Sequence, residues 1–241
     1  MILKTLGKIV KWIVGAFFVS TILFVVAYRF LPVYVTPLMV IRLAQQVKAG
    51  EELELHHQWV PLSEMSLYMP VAVMASEDQR FMEHHGFDFD AIQQAAKRNK
   101  QGGKVYGAST ITQQTAKNVF LWPGRSWVRK GLEAYFTVLI ELVWNKERIM
   151  EVYLNSIEMG KGIYGAEACA MHNFDGKTAA ELSRADCALI AATLPNPLKF
   201  SSKYPSVYIR KRRHQIENQM RHIDPITTYH SISASNPEEH N

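Results

Sequence analysis

The feature that most constrains this chain is a single uncharged apolar run near its N-terminus. Residues 12–28 read WIVGAFFVSTILFVVAY, and only Ser20 and Thr21 carry aliphatic hydroxyl groups. Extended back across Lys11 to Ile9, the run approaches the roughly 20 residues that a membrane-spanning helix needs. We therefore predict a transmembrane helix here. The alternative is a helix buried in a soluble core.

The charges on either side of this run predict its orientation. Lys4, Lys8 and Lys11 precede it, whereas Arg29 stands almost alone behind it. The positive-inside bias places the N-terminus in the cytoplasm and the rest of the chain outside. No small-residue cleavage site follows the run, so we expect an uncleaved, single-pass signal-anchor.

The charge of the whole chain narrows the class of partner. The 241 residues carry a formal net charge of +5, which suits nucleic acid, anionic lipid or a phosphorylated substrate. A domain outside the cytoplasmic membrane meets neither DNA nor a nucleotide supply. We therefore expect membrane lipids and a phosphorylated lipid as partners, and no nucleic acid.

The remaining sequence divides into helical patterns separated by glycine and proline, with no convincing β-hairpin and no βαβ alternation. This predicts a mainly α fold. The predicted organisation is a cytoplasmic stub with the transmembrane helix at 1–30, a membrane-proximal connector at 31–68, a catalytic domain at 69–225 and a disordered tail at 226–241. Cys169 and Cys187 form no zinc pattern and are predicted to be buried; a disulfide between them stays open.

Two of the segments that could carry chemistry contain carboxylate, amide and cationic groups in close sequence. Glu77 ends an apolar helical stretch, which suits a general acid or base at the edge of a cleft, although a helix-end charge in water gives the same pattern. In residues 107–118 (GASTITQQTAKN), small residues precede a helix start, where free N–H groups favour anions. There Gln113 and Gln114 lie four and three residues before Lys117, so each can share a helix face with it. A polar surface helix is the alternative.

A third segment contains two cations beside a carboxylate. Arg129 lies four residues before Glu133, and Lys130 lies three before it, so one helix face can hold all three. An ordinary surface ion pair would give this spacing too. The functional reading is an ionised acid beside cations that also bind a phosphate.

Several segments, taken in order, resemble the motifs of the peptidoglycan glycosyltransferases, and most closely the monofunctional biosynthetic transglycosylases. The similar segments are SEDQRFMEHHGFD (76–88), GASTITQQTAKN (107–118), RKGLEAYFTVLIELVWNKERIMEVYLN (129–155), GIYGAEACA (162–170) and ALIAATLPNP (188–197). They cover most of the region from about 70 to 200. The resemblance implies a lysozyme-like helical glycosyltransferase domain with a membrane-dipping subdomain, which we expect to include the loop after His84.

The resemblance also implies an activity and its residues. It implies polymerisation of lipid II into β-1,4-linked glycan strands, with inversion and release of polyprenyl pyrophosphate, at the outer face of the bacterial inner membrane. Glu77 matches the general base and Glu133 the second glutamate. The positions that line the substrate sites are Ser109, Gln113, Gln114, Lys117, Asn118, Arg129 and Lys130. Two departures are Gln94, at a usually basic position, and His172 with Asn173, in a stretch that usually contains an aromatic residue.

Several expectations accompany this assignment. No cofactor is required and no metal-ligand pattern is visible, although a divalent ion (Mg²⁺ or Mn²⁺) at the pyrophosphate stays open. Cell-division or elongation proteins are further partners to consider. A membrane-anchored, lysozyme-like glycan hydrolase and a non-catalytic cell-wall scaffold are the alternatives. A transpeptidase function is not expected, because the sequence contains no SxxK motif.

Overall fold

The computed structural model of the chain describes residues 2–100, 102, 107–124 and 126–226. This part is mainly helical, as predicted. The helices are α1 (Ile2–Tyr28), α2 (Pro37–Ala49), α3 (Tyr68–Glu77), α4 (Phe89–Lys100), α5 (Ile111–Phe120), α6 (Trp127–Val143), α7 (Lys146–Ser156), α8 (Ala166–Asn173), α9 (Arg184–Thr193) and α10 (Val207–Gln219). Of the tail predicted at 226–241, only Ile226 lies among the described residues, and it is buried.

Helix starts follow the capping residues in the sequence. The Thr110 side chain accepts a hydrogen bond from the Gln113 N–H at the start of α5, and the Gln113 side chain bonds back to the Thr110 N–H. Ser126 caps α6 in the same way, by accepting from the Arg129 N–H. Pro37, which also ends the extended segment after the apolar run, occupies the first turn of α2, where its missing N–H costs nothing.

Packing around α3 sets the position of its C-terminal residue. Residues 69–75 of α3 are all buried, and α9 and α10 pack against this helix. On the other side of the same hydrophobic core, α5 packs against α6 and α7. A helix that is apolar on all sides has to lie inside the domain. Glu77, the last residue of α3, therefore leaves the core at a fixed place.

The prediction that the chain has no β-hairpin was wrong. The strands are β1 (His56–His57), β2 (Glu158–Gly160) and β3 (Ile163–Tyr164); β2 pairs with β3 antiparallel, and β1 pairs with β3 in parallel. These strands span only two or three residues, which is too short to show an alternating pattern. The turn between β2 and β3 contains Gly162 in the left-handed region, with φ of 67°.

The apolar run forms one continuous helix that docks on the domain. Residues Thr5–Tyr28 of α1 are long and apolar enough to cross a membrane, and few of their side chains are buried. The end of α1 nearest the domain packs on α6. Polar contacts there join the Thr21 and Tyr135 hydroxyls at 2.8 Å, the Trp144 Nε1–H to the Val25 carbonyl at 2.7 Å, and the Arg148 guanidinium to the Tyr28 carbonyl at 2.8 and 3.0 Å. The C-terminal end of this helix is thus held on the domain by hydrogen bonds.

Candidate active site

The largest group of predicted site residues lines one cavity of about 620 Å³. Its walls come from α2, α5, the N-terminal end of α6 and the proline-containing segment 194–197. The predicted residues that line it are Ser109, Gln114, Lys117, Asn118, Arg129, Lys130 and Glu133. The structure therefore brings together groups from two separate sequence motifs.

Glu133 lies between two cations inside this cavity. Arg129 Nη1 donates to Glu133 Oε2 over 2.8 Å, and Lys130 Nζ contacts Glu133 Oε1 directly. The Glu133 carboxylate is 4 % exposed, so the pair is shielded from solvent. The helical spacing predicted this arrangement. Because both carboxylate oxygens are engaged, Glu133 is built to hold the two cations in place.

Lys117 adds a third cation from the facing helix α5. Burial lowers the pKa of its ammonium group; the Glu133 carboxylate opposes that shift, and the Arg129 and Lys130 charges reinforce it. An anion that enters the cavity would offset the repulsion between Lys117 and the two other cations and so stabilise the charged form of Lys117. The local electrostatics therefore favour a ligand with a compact negative charge.

Two further charged residues line the cavity that sequence reasoning did not select. Arg42 on α2 donates to Glu158 on β2 through Nε at 3.0 Å and Nη2 at 3.1 Å. Arg42 lies in the segment predicted to be a connector, and no local pattern marks it. It reaches the cavity because α2 packs against α5. Together the charged lining residues are four cations and two carboxylates, an excess of two positive charges.

Glu77 lies beside this cavity, at its junction with a smaller one of about 190 Å³. Gly107 and Ser109 line both cavities. Glu77 Oε2 accepts a hydrogen bond from Gln114 Nε2 over 3.1 Å, and Glu77 Oε1 lies 3.1 Å from the Ser76 hydroxyl. The predicted base therefore stands within reach of ligands in either cavity. Gln94, the residue at a usually basic position, lines the smaller one with Arg98 and Asp88.

The neighbouring Asp78 fixes the end of α3 to the start of α5. Its carboxylate accepts from the Ile111 N–H at 3.0 Å and contacts His84 Nε2 at 2.9 and 3.0 Å. Asp78 and His84 are both buried. Since α5 contains Gln114 and Lys117, this link sets the distance between the Glu77 carboxylate and the cationic cavity.

Four predicted or noted positions lie outside these two cavities. The Gln113 side chain is buried in the α5 capping box and does not line either cavity. The His172 ring contacts the His56 ring at a tilt of 45°, with ring centroids 3.9 Å apart. Cys169 and Cys187 are both buried free thiols, which confirms their predicted burial and answers the open question of a disulfide in the structure.

The cavity residues do not fit a resident divalent ion. Among the described residues, no group of three or more His, Cys, Asp or Glu side chains could hold a metal. The Glu133 oxygens face cations, and Glu158 is paired with Arg42. A metal would have to displace these guanidinium and ammonium groups.

The fold and the site define a class of enzyme. A carboxylate at the end of a buried helix, beside a cationic cavity in a helical domain, is the arrangement of an enzyme that binds an anionic substrate, and the apolar N-terminal helix suggests a membrane anchor. The sequence matches the transglycosylase family over residues 44–221, and the chain belongs to that family.

Relatives with closely similar sequences support this assignment. A protein of Bacteroides thetaiotaomicron is 64% identical over 200 residues, covering 83% of this chain and 80% of the relative. One from Bdellovibrio bacteriovorus is 56% identical over 213 residues, covering 87% and 85%. One from Pseudomonas putida is 49% identical over 234 residues, covering 97% of each chain. All three are named biosynthetic peptidoglycan transglycosylase, so the resemblance read from the motifs is confirmed, and with it the glycosyltransferase class.

Proposed function

We propose that this protein polymerises lipid II into β-1,4-linked peptidoglycan strands and releases polyprenyl pyrophosphate. The observation that carries the proposal is the meeting of two cavities beside Glu77, one of them with an excess of two positive charges. A polymerase needs a donor site and an acceptor site on either side of its base. The relatives' names support peptidoglycan as the product.

Glu77 is the proposed general base. It removes the proton from the 4-hydroxyl of the incoming lipid II sugar, and that oxygen attacks the anomeric carbon of the growing strand. The bond from that carbon to the pyrophosphate oxygen breaks, and its electron pair leaves with the pyrophosphate. An α-linked donor becomes a β-1,4 bond, so one displacement inverts the configuration. The proton remains on Glu77 until solvent removes it.

The larger cavity is the proposed site of the leaving pyrophosphate. A pyrophosphate is already a good leaving group, so neutralisation of its charge matters more than protonation. Lys117, Arg129 and Lys130 supply the cations, and Glu133 orients the latter two. The smaller cavity then receives the acceptor sugar. Ser109 and Asn118 are proposed to bind the sugars or phosphates, and Gln114 to bind them while holding Glu77.

A cleavage enzyme of the same fold has different requirements. Hydrolysis of a glycan releases no pyrophosphate, and it therefore has no use for three cations in one subsite. We propose that the activity needs no resident cofactor, because the cavity residues favour phosphate over metal. A divalent ion would enter only as a companion of the substrate pyrophosphate.

The anchor is proposed to hold the domain at the outer face of the inner membrane, with the N-terminus in the cytoplasm. Thr21 lies seven residues before the end of α1, about 10 Å along the helix axis. Its contact with Tyr135 supports a proposed position of α6 beside the anchor and below the membrane surface. Phe89, Trp127 and Val128 are strongly exposed and suit a membrane-dipping surface. Membrane lipids are therefore proposed partners. Cell-division or elongation proteins are proposed as further partners, and nucleic acid is not proposed as one.

The direct test uses the full-length protein in detergent with labelled lipid II. Wild type is expected to make polymer that lysozyme digests, and Glu77→Gln to make none. Glu83→Gln, an exposed carboxylate on the loop after α3, is the matched control and should polymerise normally. Shortening of preformed glycan without polymerisation would replace this proposal with the hydrolase alternative. Lipid binding without any reaction would favour the scaffold.

A further inference from the structure

Arg42 and Glu158 form an ion pair in the wall of the cationic cavity. The guanidinium engages both carboxylate oxygens, at 3.0 and 3.1 Å, and both residues line the cationic cavity. The two partners differ in exposure: the Arg42 side chain is 28% exposed and the Glu158 side chain 9%. The arginine is therefore the more accessible member of the pair to a ligand in the cavity.

A buried hydroxyl group beside Glu158 lacks a well-formed hydrogen bond in this arrangement. Tyr164 is fully buried, and its hydroxyl oxygen makes no hydrogen bond of good geometry among the described residues. Burial raises the pKa of this phenol; the charge of the adjacent Glu158 carboxylate and its contact with the hydroxyl raise it further, and the Arg42 guanidinium opposes the shift. The hydroxyl is thus protonated and next to a carboxylate, but its bond to that carboxylate is not well formed. A buried donor without a well-formed hydrogen bond is unfavourable, so a second arrangement that completes the bond of Tyr164 to Glu158 is favoured.

We infer that Arg42 is a substrate ligand, which leaves Glu158 for the pyrophosphate while the Tyr164 hydroxyl takes its place on the Glu158 carboxylate. The inference rests on the proposed function, because it needs a pyrophosphate in the larger cavity. The number of contacts is conserved in this exchange. Arg42 gives up a carboxylate and binds a phosphate, and its planar guanidinium can donate two parallel hydrogen bonds to either group. Glu158 trades a guanidinium for a hydroxyl donor that is already adjacent.

The position of Arg42 in the chain gives this exchange a wider consequence. Arg42 precedes the region matched by the family, residues 44–221, so the family motifs do not include it. It lies on α2, the helix that joins the anchor to the domain. Binding of the pyrophosphate would therefore draw the membrane-proximal helix onto the substrate. Once Arg42 has left Glu158, its guanidinium can bind the phosphates directly. The excess of two positive charges in the cavity then matches the two negative charges of a pyrophosphate diester.

Kinetics of lipid II polymerisation by the full-length protein separate this role from a structural one. Arg42→Ala is expected to raise KM about tenfold, by loss of one charged hydrogen-bonding group, with a smaller change in kcat. Glu158→Gln frees Arg42 without removing it, so KM should stay the same or fall. If the pair only braces the fold, both variants lose the brace and both should be impaired. Equal impairment would overturn the inference.

The charge of the cavity is controlled by the double variant Arg42→Ala/Glu158→Gln, which has the same net charge as wild type. We expect its KM to remain raised, because the ligand is missing. A return of KM to the wild-type value would show that only net charge matters, and would overturn the inference. Arg42→Lys keeps the charge but not the fork, and should lie between wild type and Arg42→Ala.

Binding of farnesyl pyrophosphate, measured by calorimetry on the same detergent-solubilised proteins, tests the ligand role without turnover. Wild type should bind it, Arg42→Ala more weakly and Glu158→Gln at least as tightly as wild type. Thermal unfolding of each variant confirms that it is folded. If wild type binds the probe but makes no polymer from lipid II, the proposed function fails while the ligand role stands. If wild type polymerises but Arg42→Ala binds the probe normally, the ligand role fails alone.

Discussion

Gln114 donates a hydrogen bond from Nε2 to Glu77 Oε2 over 3.1 Å, and it is itself held by the Tyr153 hydroxyl, which donates to Gln114 Oε1 over 3.2 Å. Tyr153 is fully buried, and burial raises its pKa strongly, with smaller effects of Glu77 and Asp78 in the same direction. The phenol therefore stays protonated and acts as a donor. This donor fixes which end of the Gln114 amide faces the base.

Tyr153→Phe should reduce polymerisation about tenfold, which corresponds to about 1.4 kcal/mol of transition-state stabilisation. Without the phenol, the Gln114 amide is free to turn its oxygen toward the Glu77 carboxylate, which disfavours the productive arrangement. The measurement is kcat with labelled lipid II. In a Gln114→Ala background, Tyr153→Phe should add little further loss, because the two residues act as a unit. Tyr208→Phe, at an exposed tyrosine, is the control. If the kcat losses of Tyr153→Phe and Gln114→Ala were additive, Tyr153 would not act through Gln114.

Lys117 should determine the alkaline limb of the pH profile. Its ammonium group must be protonated to neutralise the pyrophosphate, and burial lowers its pKa from the ordinary 10.5. Activity should therefore fall as pH rises, at a lower pH than an ordinary lysine would give. Arginine stays charged throughout this range, so Lys117→Arg should move the fall to higher pH even if its activity at neutral pH is lower. The check is kcat/KM from about pH 7 to about pH 10. An unchanged alkaline limb in Lys117→Arg would contradict the assignment.

The parts of this fold that the sequence predicted are those set by neighbouring residues. The span of the anchor follows from one uncharged run, and the Ser126 cap of α6 follows from one side chain placed before a helix. The contact of Arg129 and Lys130 with Glu133 follows from helical spacing alone. Each depends on at most a few turns of chain, so each can be read locally.

The parts that it did not predict depend on packing between distant segments. Arg42 reaches the cavity only because α2 packs on α5, and Tyr153 reaches Gln114 only because α7 packs on α5. Neither residue carries a local signature. Gln113 shows the reverse case: its spacing suggested a ligand, but its side chain is used in the capping box. Competition between a backbone cap and a ligand is not visible in a one-dimensional pattern.

Cys169 and Cys187 should both resist alkylation in the folded protein at neutral pH. Burial raises the pKa of the Cys169 thiol to about 11 and that of the Cys187 thiol to about 12, so almost no thiolate is present. Mass spectrometry after iodoacetamide treatment should show no added groups in the native protein and two after denaturation. If the denatured protein, treated without a reductant, gained fewer than two groups, at least one of the two cysteines would not be a free thiol.

The β2–β3 turn should tolerate no side chain at Gly162, and Gly50 provides a matched comparison. Both glycines have almost the same left-handed backbone, with φ of 67° and 66°. A Cβ on Gly162 would lie 2.6 Å from the Glu54 carbonyl oxygen, whereas one on Gly50 would meet no atom within 4 Å. Gly50→Ala should therefore lower the free energy of unfolding by about 1 kcal/mol, from backbone strain alone. Gly162→Ala should cost about 3 kcal/mol or more, because the clash also strains the Gly162 carbonyl's bond to the His56 N–H. Denaturant unfolding in detergent, followed by tryptophan fluorescence, measures both, and equal losses would show that the turn can move away from Glu54.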